Sequence, residues 1–158
     1  MTKSIAAFFM GFFLVFSAEA SMISFFVIET GLPQEGAINQ HSLLWENTLL
    51  DVFFNEGHIV CNFPIMRFEE KPEGEILQVA AFDIKEAMDV GIDYLILAQL
   101  NYVPDSQMPG EILFFIYRIT PHEKIYEKRI TGKAYRSRIE EVNDLKLIVR
   151  ELIPYFGS

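Results

Sequence analysis

Apolar residues recur along the chain with two different spacings, and the changes of spacing predict the order of the elements. Short runs of apolar, β-branched and aromatic residues predict buried strands, whereas apolar residues repeating every three to four positions predict amphipathic helices. In the first two thirds of the chain the two kinds of segment alternate. The predicted strands cover residues 22–28, 58–61 and 93–102, and the predicted helices cover residues 39–56 and 75–90.

Two glycines and one apolar run add detail to this part of the chain. Gly57 and Gly91 directly follow the predicted helices, the position where a left-handed residue commonly ends a helix. Residues 95–97 are continuously apolar. Such a run is typical of a central strand that is covered on both faces, so we expect the third strand in the middle of a sheet.

The last third of the chain has a different pattern. Residues 111–120 and 124–134 predict two long strands joined by a turn, and therefore an antiparallel hairpin. Charged residues alternate with apolar ones in the second strand, which is typical of a strand near a sheet edge. A final helix is predicted over residues 139–155, with Ser137 as its N-cap. Its predicted apolar stripe consists of Ile139, Val142, Leu145, Val149, Leu152 and Phe156.

The resulting order is β-α-β-α-β-β-β-α. It predicts a single domain over residues 21–158, of the α/β (α+β) class, with a mixed β-sheet and helices packed on that sheet. No internal repeat or linker-like segment divides these residues.

The first twenty residues have the pattern of a secretory signal peptide. Lys3 precedes a short apolar run over residues 5–16, and Ala18 and Ala20 suit the −3 and −1 positions of a cleavage site. We therefore predict export to the periplasm or the extracellular space, with no stable membrane insertion after cleavage. The alternative is an uncleaved membrane anchor, although the apolar run is shorter than the roughly 20 residues of a spanning helix. A lipoprotein is not expected, because the only cysteine is Cys61.

Charge is unevenly distributed along the chain. The formal net charge is −9. Residues 21–116 contain 3 basic and 15 acidic side chains, whereas residues 117–158 contain 9 basic and 6 acidic ones. An acidic chain is a poor general binder of nucleic acid, so no nucleic-acid partner is expected. The excess of basic residues in the carboxy-terminal part instead predicts a basic patch, which would bind an acidic protein partner.

One segment resembles a known family of extracytoplasmic domains. Residues 89–99 (DVGIDYLILAQ) resemble a helix that ends in Gly, followed by Asp-Tyr and an apolar strand. This pattern is similar to the domain shared by the amino-terminal part of TolB, the outer-membrane activators of penicillin-binding proteins, and CsgG-type secretion proteins. The resemblance implies a module that binds other envelope proteins rather than a catalyst. This chain departs from the lipoprotein members because it has no lipid-bearing cysteine.

A candidate interface lies in the predicted hairpin and the approach to the last helix. Basic residues alternate there with tyrosines, and Tyr and Arg are enriched at protein interfaces. The alternative is a solvated sheet edge that its charges protect from pairing. The predicted interface residues are Arg118, Tyr126, Lys128, Arg129, Lys133, Tyr135, Arg136 and Arg138.

A second candidate is a crevice at one edge of the sheet. If the first three strands are parallel, the polar residues at their carboxyl ends meet there, as they do in ligand sites of open α/β sheets. The alternative is that these side chains only satisfy loop backbone groups. The predicted crevice residues are Glu29, Thr30, Asn62, Asn101 and Tyr102.

No catalytic or metal motif is recognised in the sequence. His41, His58 and His122 lack metal-ligand spacing, and Cys61 lies within a predicted strand rather than at a helix start. No cofactor, metal or catalytic residue is therefore predicted. The leading prediction is a non-enzymatic module that binds an envelope protein. The alternatives are a small-ligand binder or enzyme that uses the crevice, and a structural protein that associates with itself through an edge strand.

Overall fold

The computed structural model describes residues 20–156 except residues 73, 75, 81 and 105. The signal-like segment therefore lies, apart from Ala20, outside the described residues. Within the described part of the chain, no helix is long and apolar enough to span a bilayer.

A mixed sheet forms the centre of the domain, as predicted. Its strands are β1 (Met22–Thr30), β2 (Ile59–Asn62), β3 (Met66–Phe68), β4 (Tyr94–Tyr102), β5 (Pro109–Arg118) and β6 (Glu123–Thr131). The spatial order is β2-β1-β4-β5-β6, and β3 also pairs with β1. Strands β2, β3 and β4 run parallel to β1, while β5 is antiparallel to both β4 and β6. The predicted central position of β4 and edge position of β6 are both confirmed.

Helices cover both faces of this sheet. They are α1 (Gln40–Asn55), α2 (Ile76–Val79), α3 (Ile84–Asp89) and α4 (Arg138–Arg150), and a short 3₁₀ turn over Ile153–Tyr155 follows α4. Gly57 and Gly91 follow α1 and α3 with φ angles of 91° and 83°, the left-handed conformation expected there. The chain is a single mixed α+β domain, which confirms the predicted fold class.

Two apolar cores lie on opposite faces of the sheet because successive strand residues point to opposite sides. One core joins α1 and α4 to the sheet through residues such as Phe25, Phe53 and Phe114. The other joins α2 and α3 to the sheet through residues such as Phe26 and Leu97. The central strands are therefore buried on both faces.

The structure corrects the prediction of one helix over residues 75–90. Two short helices, α2 and α3, occupy this range. Asp83 has extended backbone angles, and its Oδ1 accepts hydrogen bonds from the backbone N–H groups of Lys85 (2.8 Å) and Glu86 (3.2 Å). This side chain caps a new helix instead of continuing the previous one, a competition typical of Asp.

Strand β3 was not predicted. It has only 3 residues and follows Pro64, so it shows no readable alternation. It pairs with the last residues of β1 after β2 has ended at Asn62. The two short strands together form one interrupted edge along β1, and β2 is consequently not the buried strand that its apolar sequence predicts.

The structure corrects part of the apolar stripe that the sequence predicts for the last helix. Leu145 and Val149 in α4, and Leu152 just after it, are fully buried as predicted, and the Ser137 side chain caps the helix. Ile139, however, is 75% exposed because it lies in the first turn, before α4 packs fully on the sheet. The Phe54 side chain is also exposed (68%), near the end of α1.

Candidate interaction site

The basic residues predicted as an interface do not form one continuous surface. Tyr126 and Lys128 lie on the α4 side of β6, where the Tyr126 ring is 4.4 Å from the Tyr155 ring and Lys128 pairs with Glu151. Arg129 follows Lys128 and therefore points to the opposite face, where its guanidinium is 3.1 Å from Glu111. The strand thus divides the predicted set between two faces of the sheet.

Most charges of this set are matched within the chain. Lys133 lies 2.9 Å from Asp144, and Arg118 lies 3.9 Å from Glu123. The hydrogen bond from Lys133 is the main cause that lowers the pKa of Asp144 below its usual range. These pairs reduce the positive potential that the sequence alone predicts for the carboxy-terminal part.

Arg136 and Arg138 differ from the rest of the set. Both are exposed, and neither side chain forms an ion pair with the described residues. The local backbone holds them in place, because Glu140 accepts a 3.0 Å hydrogen bond from the Arg136 backbone N–H. Ser137 between them accepts a 3.2 Å hydrogen bond from the Glu140 backbone N–H, as an N-cap does.

A groove lies beside these two arginines, between the starts of α1 and α4 and the β4–β5 connection. It consists of two adjoining depressions of about 340 and 180 Å³ that share Met108, Tyr135 and Glu141. Arg138 lines the larger depression, while Trp45 is part of the apolar floor of the smaller one. We call this feature the helix-start groove.

Tyr135 is held in place at the junction of the two depressions. Its hydroxyl donates a 2.8 Å hydrogen bond to Asp144, and the Lys133 ammonium lies 5.0 Å from the centre of its ring. Burial, followed by the hydrogen bond to Asp144, raises the pKa of Tyr135 well above its usual range. The half-buried phenol is thus held as a hydrogen-bond donor to Asp144.

A histidine–carboxylate pair forms part of the groove wall. Nδ1 of His41 lies 2.6 Å from Oε1 of Glu141, whose side chain is only 6% exposed. The two residues belong to α1 and α4, so this contact ties the two helices together at their first turns. Two helices that contact each other therefore form the sides of the groove, and sheet residues lie below it.

The five predicted crevice residues are only partly brought together. Thr30, Asn101 and Tyr102 line an open depression of about 450 Å³ at the carboxyl end of the parallel strands. The Thr30 hydroxyl donates a 2.6 Å hydrogen bond to Asn101, which in turn donates a 2.8 Å hydrogen bond to Glu111. These polar side chains therefore satisfy one another, rather than the loop backbone groups named in the alternative.

The other two crevice residues lie elsewhere. Asn62 donates a 2.7 Å hydrogen bond to Glu46, away from the depression. Glu29 is fully buried and is paired with Arg67 at 2.5 Å. Its other carboxylate oxygen accepts a 2.8 Å hydrogen bond from the backbone N–H of Asn39. Glu29 thus anchors the loop that enters α1, a structural role.

Sequence reasoning missed Arg67 and the pair of His41 with Glu141. A signal for Arg67 was present, because a Glu at the end of an apolar strand needs a cation, and Arg67 is the only basic residue between residues 21 and 70. The His41 contact joins residues 100 positions apart and has no local signal. Among the described residues, no group of three His, Cys, Asp or Glu side chains could hold a metal ion.

Comparison with known protein families gives one match. A family model described as "Uncharacterised protein" matches residues 24–111. The chain belongs to this family. The match extends from β1 to the start of β5, so it includes the parallel part of the sheet and excludes β6 and α4. Comparison with curated proteins gives no match.

Several solved structures are similar to this chain. TolB from Acinetobacter baumannii is 14% identical with a TM-score of 0.45, over 89% of this chain and 30% of the TolB chain. The LpoB C-terminal domain from Escherichia coli is 13% identical with a TM-score of 0.44, over 73% of this chain and 84% of that domain. The PelC dodecamer from Paraburkholderia phytofirmans is 11% identical with a TM-score of 0.47, over 87% of this chain and 88% of PelC. TolB is also the protein whose amino-terminal part the sequence resembles.

Proposed function

We propose that this chain is a non-enzymatic protein-interaction module of the cell envelope, and that it binds an acidic partner at the helix-start groove. The observation that carries the proposal is the position of Arg136 and Arg138. They are exposed cations without an ion pair in the described part of the chain, and they stand beside a groove with an apolar floor.

The composition of the groove supports a protein partner. Met108 and the Tyr135 ring are partly exposed and provide apolar surface, while Leu44 and Trp45 lie buried beneath them. Aromatic residues, Met and Arg are enriched at protein interfaces, and they commonly supply the few contacts that dominate binding. An acidic side chain of the partner would meet the two arginines while an apolar side chain enters the groove.

The envelope location rests on the amino-terminal residues. Lys3, the apolar run and the alanines at positions 18 and 20 have the order of a cleavable signal. Export is tested by measuring the intact mass of the protein from a periplasmic extract. A mass that corresponds to a chain starting at Ser21 supports export. The mass of the full-length chain in the membrane fraction contradicts it.

The binding surface is tested with a photo-crosslinking amino acid placed at Arg136 in living cells. We expect a crosslinked protein product that disappears when Arg138 is changed to Glu. The matched control places the same crosslinker at Lys85, an exposed position in α3. Equal products from both positions, or none from Arg136, contradict the proposed surface.

The electrostatic part of the proposal is tested with the captured partner. The double variant Arg136→Glu/Arg138→Glu should weaken binding, because the reversed charges repel an acidic surface, and added salt should weaken wild-type binding as well. The control Arg150→Glu reverses an exposed charge in the last turn of α4, about 18 Å along the helix from Arg138, and should have little effect. Salt-insensitive binding contradicts an acidic partner.

A further inference from the structure

Strand β6 presents a free edge with an unusual arrangement of charge. It pairs with β5 on one side, and among the described residues it has no strand on the other side. Its first six residues, 123–128, read EKIYEK. Long edge strands are templates for pairing with another chain, and lysines on such strands usually oppose that pairing.

An irregularity in the pairing with β5 determines which side chains share a face. Tyr126 pairs with Ile116 and Lys124 pairs with Tyr117, so Ile125 is an extra residue in β6. Such a bulge shifts the alternation by one residue. Lys124 and Glu127 consequently lie on the same face, where their side chains are 2.5 Å apart.

The same shift places the outer two charges together on the opposite face. Glu123 pairs in register with Arg118, and Lys128 pairs with Phe114, a residue of the core beneath α1 and α4. Glu123 and Lys128 therefore both lie on the α4 side of β6. Each face of this edge carries one acidic and one basic residue, separated by the bulge.

We propose that β6 pairs with β6 of a second copy of this chain, antiparallel and about a two-fold axis between Ile125 and Tyr126. In this register Lys124 lies opposite Glu127 of the second copy, and Glu123 lies opposite Lys128 of the second copy. Two-fold symmetry repeats each pair, so all the charges in this stretch are matched across the contact.

Neighbouring registers lose this match. A shift by one residue brings Lys124 level with Lys128, or Glu123 level with Glu127, and these residues lie on opposite faces of β6, so the two strands no longer present the same face to each other. A shift by two residues places Lys124 opposite Arg129 on the same face, and like charges directly opposite each other destabilise a strand pair. The charges therefore favour the proposed register with a second copy.

Little is lost within each copy when this contact forms. The Lys124 and Glu127 side chains are 45% and 53% exposed, and an exposed ion pair of this kind contributes little to stability. Pairing across the two-fold axis also gives partners to the outward backbone groups of β6, which have no neighbouring strand among the described residues. The proposal does not depend on the partner proposed for the helix-start groove.

The test measures the mass of the protein in solution by light scattering and sedimentation, from micromolar to millimolar concentration. The wild type should form a dimer. Lys124→Glu alone and Glu127→Lys alone should each weaken the dimer roughly tenfold or more, because each places two like-charged pairs at the contact. An equimolar mixture of the two variants should form a heterodimer, since each acidic strand then faces a basic one.

The mixture is the decisive measurement. The internal pair of residues 124 and 127 stays broken in both variants, so recovery in the mixture can come only from contacts between copies. Lys146→Glu is the matched control, because it disrupts an exposed pair with Asp51 on the helix layer and should leave the dimer unchanged. A wild type that is monomeric throughout, or variants that dimerise as the wild type does, overturns the proposal.

Discussion

In the parallel part of the sheet, the carboxylate of Glu29 is fully buried and paired with Arg67, whereas in the antiparallel part the ion pairs of β6 lie at the surface. The Arg67 guanidinium donates further hydrogen bonds to the carbonyl oxygens of Pro33 (3.1 Å) and Ala37 (2.8 Å). It therefore fixes the loop between β1 and α1 as well as the charge.

The difference teaches that charge has a structural role in one region and is available for binding in the other. A buried carboxylate must keep its partner, since an unpaired charge in the interior is costly. An exposed pair contributes roughly 0–1 kcal/mol to stability and exchanges readily with solvent or with another chain. Loss of the buried pair should therefore cost more stability than loss of an exposed pair.

The largest effect is expected from breaking the buried pair. Arg67→Met keeps most of the apolar stem but leaves Glu29 without its cation, and should lower the free energy of unfolding by about 3–5 kcal/mol. Urea denaturation at neutral pH measures this loss. The control Lys71→Met removes an exposed cation a few residues further along and should change stability little. A similarly small loss of stability for both variants would show that the buried pair contributes no more than an exposed charge.

A smaller but still large effect is expected from the apolar core of the antiparallel region. Leu152 is fully buried beside the sheet, so Leu152→Ala should cost about 2–5 kcal/mol through lost contacts and a residual cavity. The matched control is Leu147→Ala in α4, because the Leu147 side chain is 61% exposed. Equal losses in denaturant melts of the two variants would show that burial does not distinguish these positions.

The smallest effect is expected from the exposed charges, and it should depend on pH. The hydrogen bond from Lys133 lowers the pKa of Asp144, so the folded state binds this proton less readily than the unfolded chain. The contribution to stability is therefore present above the unfolded pKa of about 3.9 and is lost as pH falls through the lower folded value. Asp144→Asn should cost under about 1 kcal/mol at neutral pH.

Melts at several pH values test this expectation. The difference between the wild type and Asp144→Asn should shrink as the solution becomes more acidic than about pH 4. A difference that grows on acidification has the wrong sign for a carboxylate with a lowered pKa. A constant difference would mean that the side chain acts through hydrogen bonding to Tyr135 and not through its charge.

Local patterns predicted most of the element order and several ends of elements, but not β3 or the division between α2 and α3. The apolar runs of β1 and β4, the 3.6-residue repeat of α1 and the N-cap at Ser137 depend on neighbours close in sequence. The break between α2 and α3 had a readable signal in Asp83, but the apolar period of residues 76–88 outweighed it. The position of β2 at an edge could not be read locally, because an apolar run does not indicate how many neighbours a strand has.

The candidate sites were less predictable from local sequence patterns than the helices and strands. The sequence determined that the carboxy-terminal part is basic and contains tyrosines, because charge and composition belong to the chain itself. Only the tertiary structure decided that Lys128 and Arg129 point to opposite faces, that Lys133 is matched by Asp144, and that Arg136 and Arg138 are not matched. It also decided that Thr30 and Asn101 share a depression while Glu29 turns inward to Arg67. The physical reason is that charge pairing and burial depend on side chains far apart in sequence, 71 positions for Thr30 and Asn101, whereas sequence patterns report neighbours within a few residues.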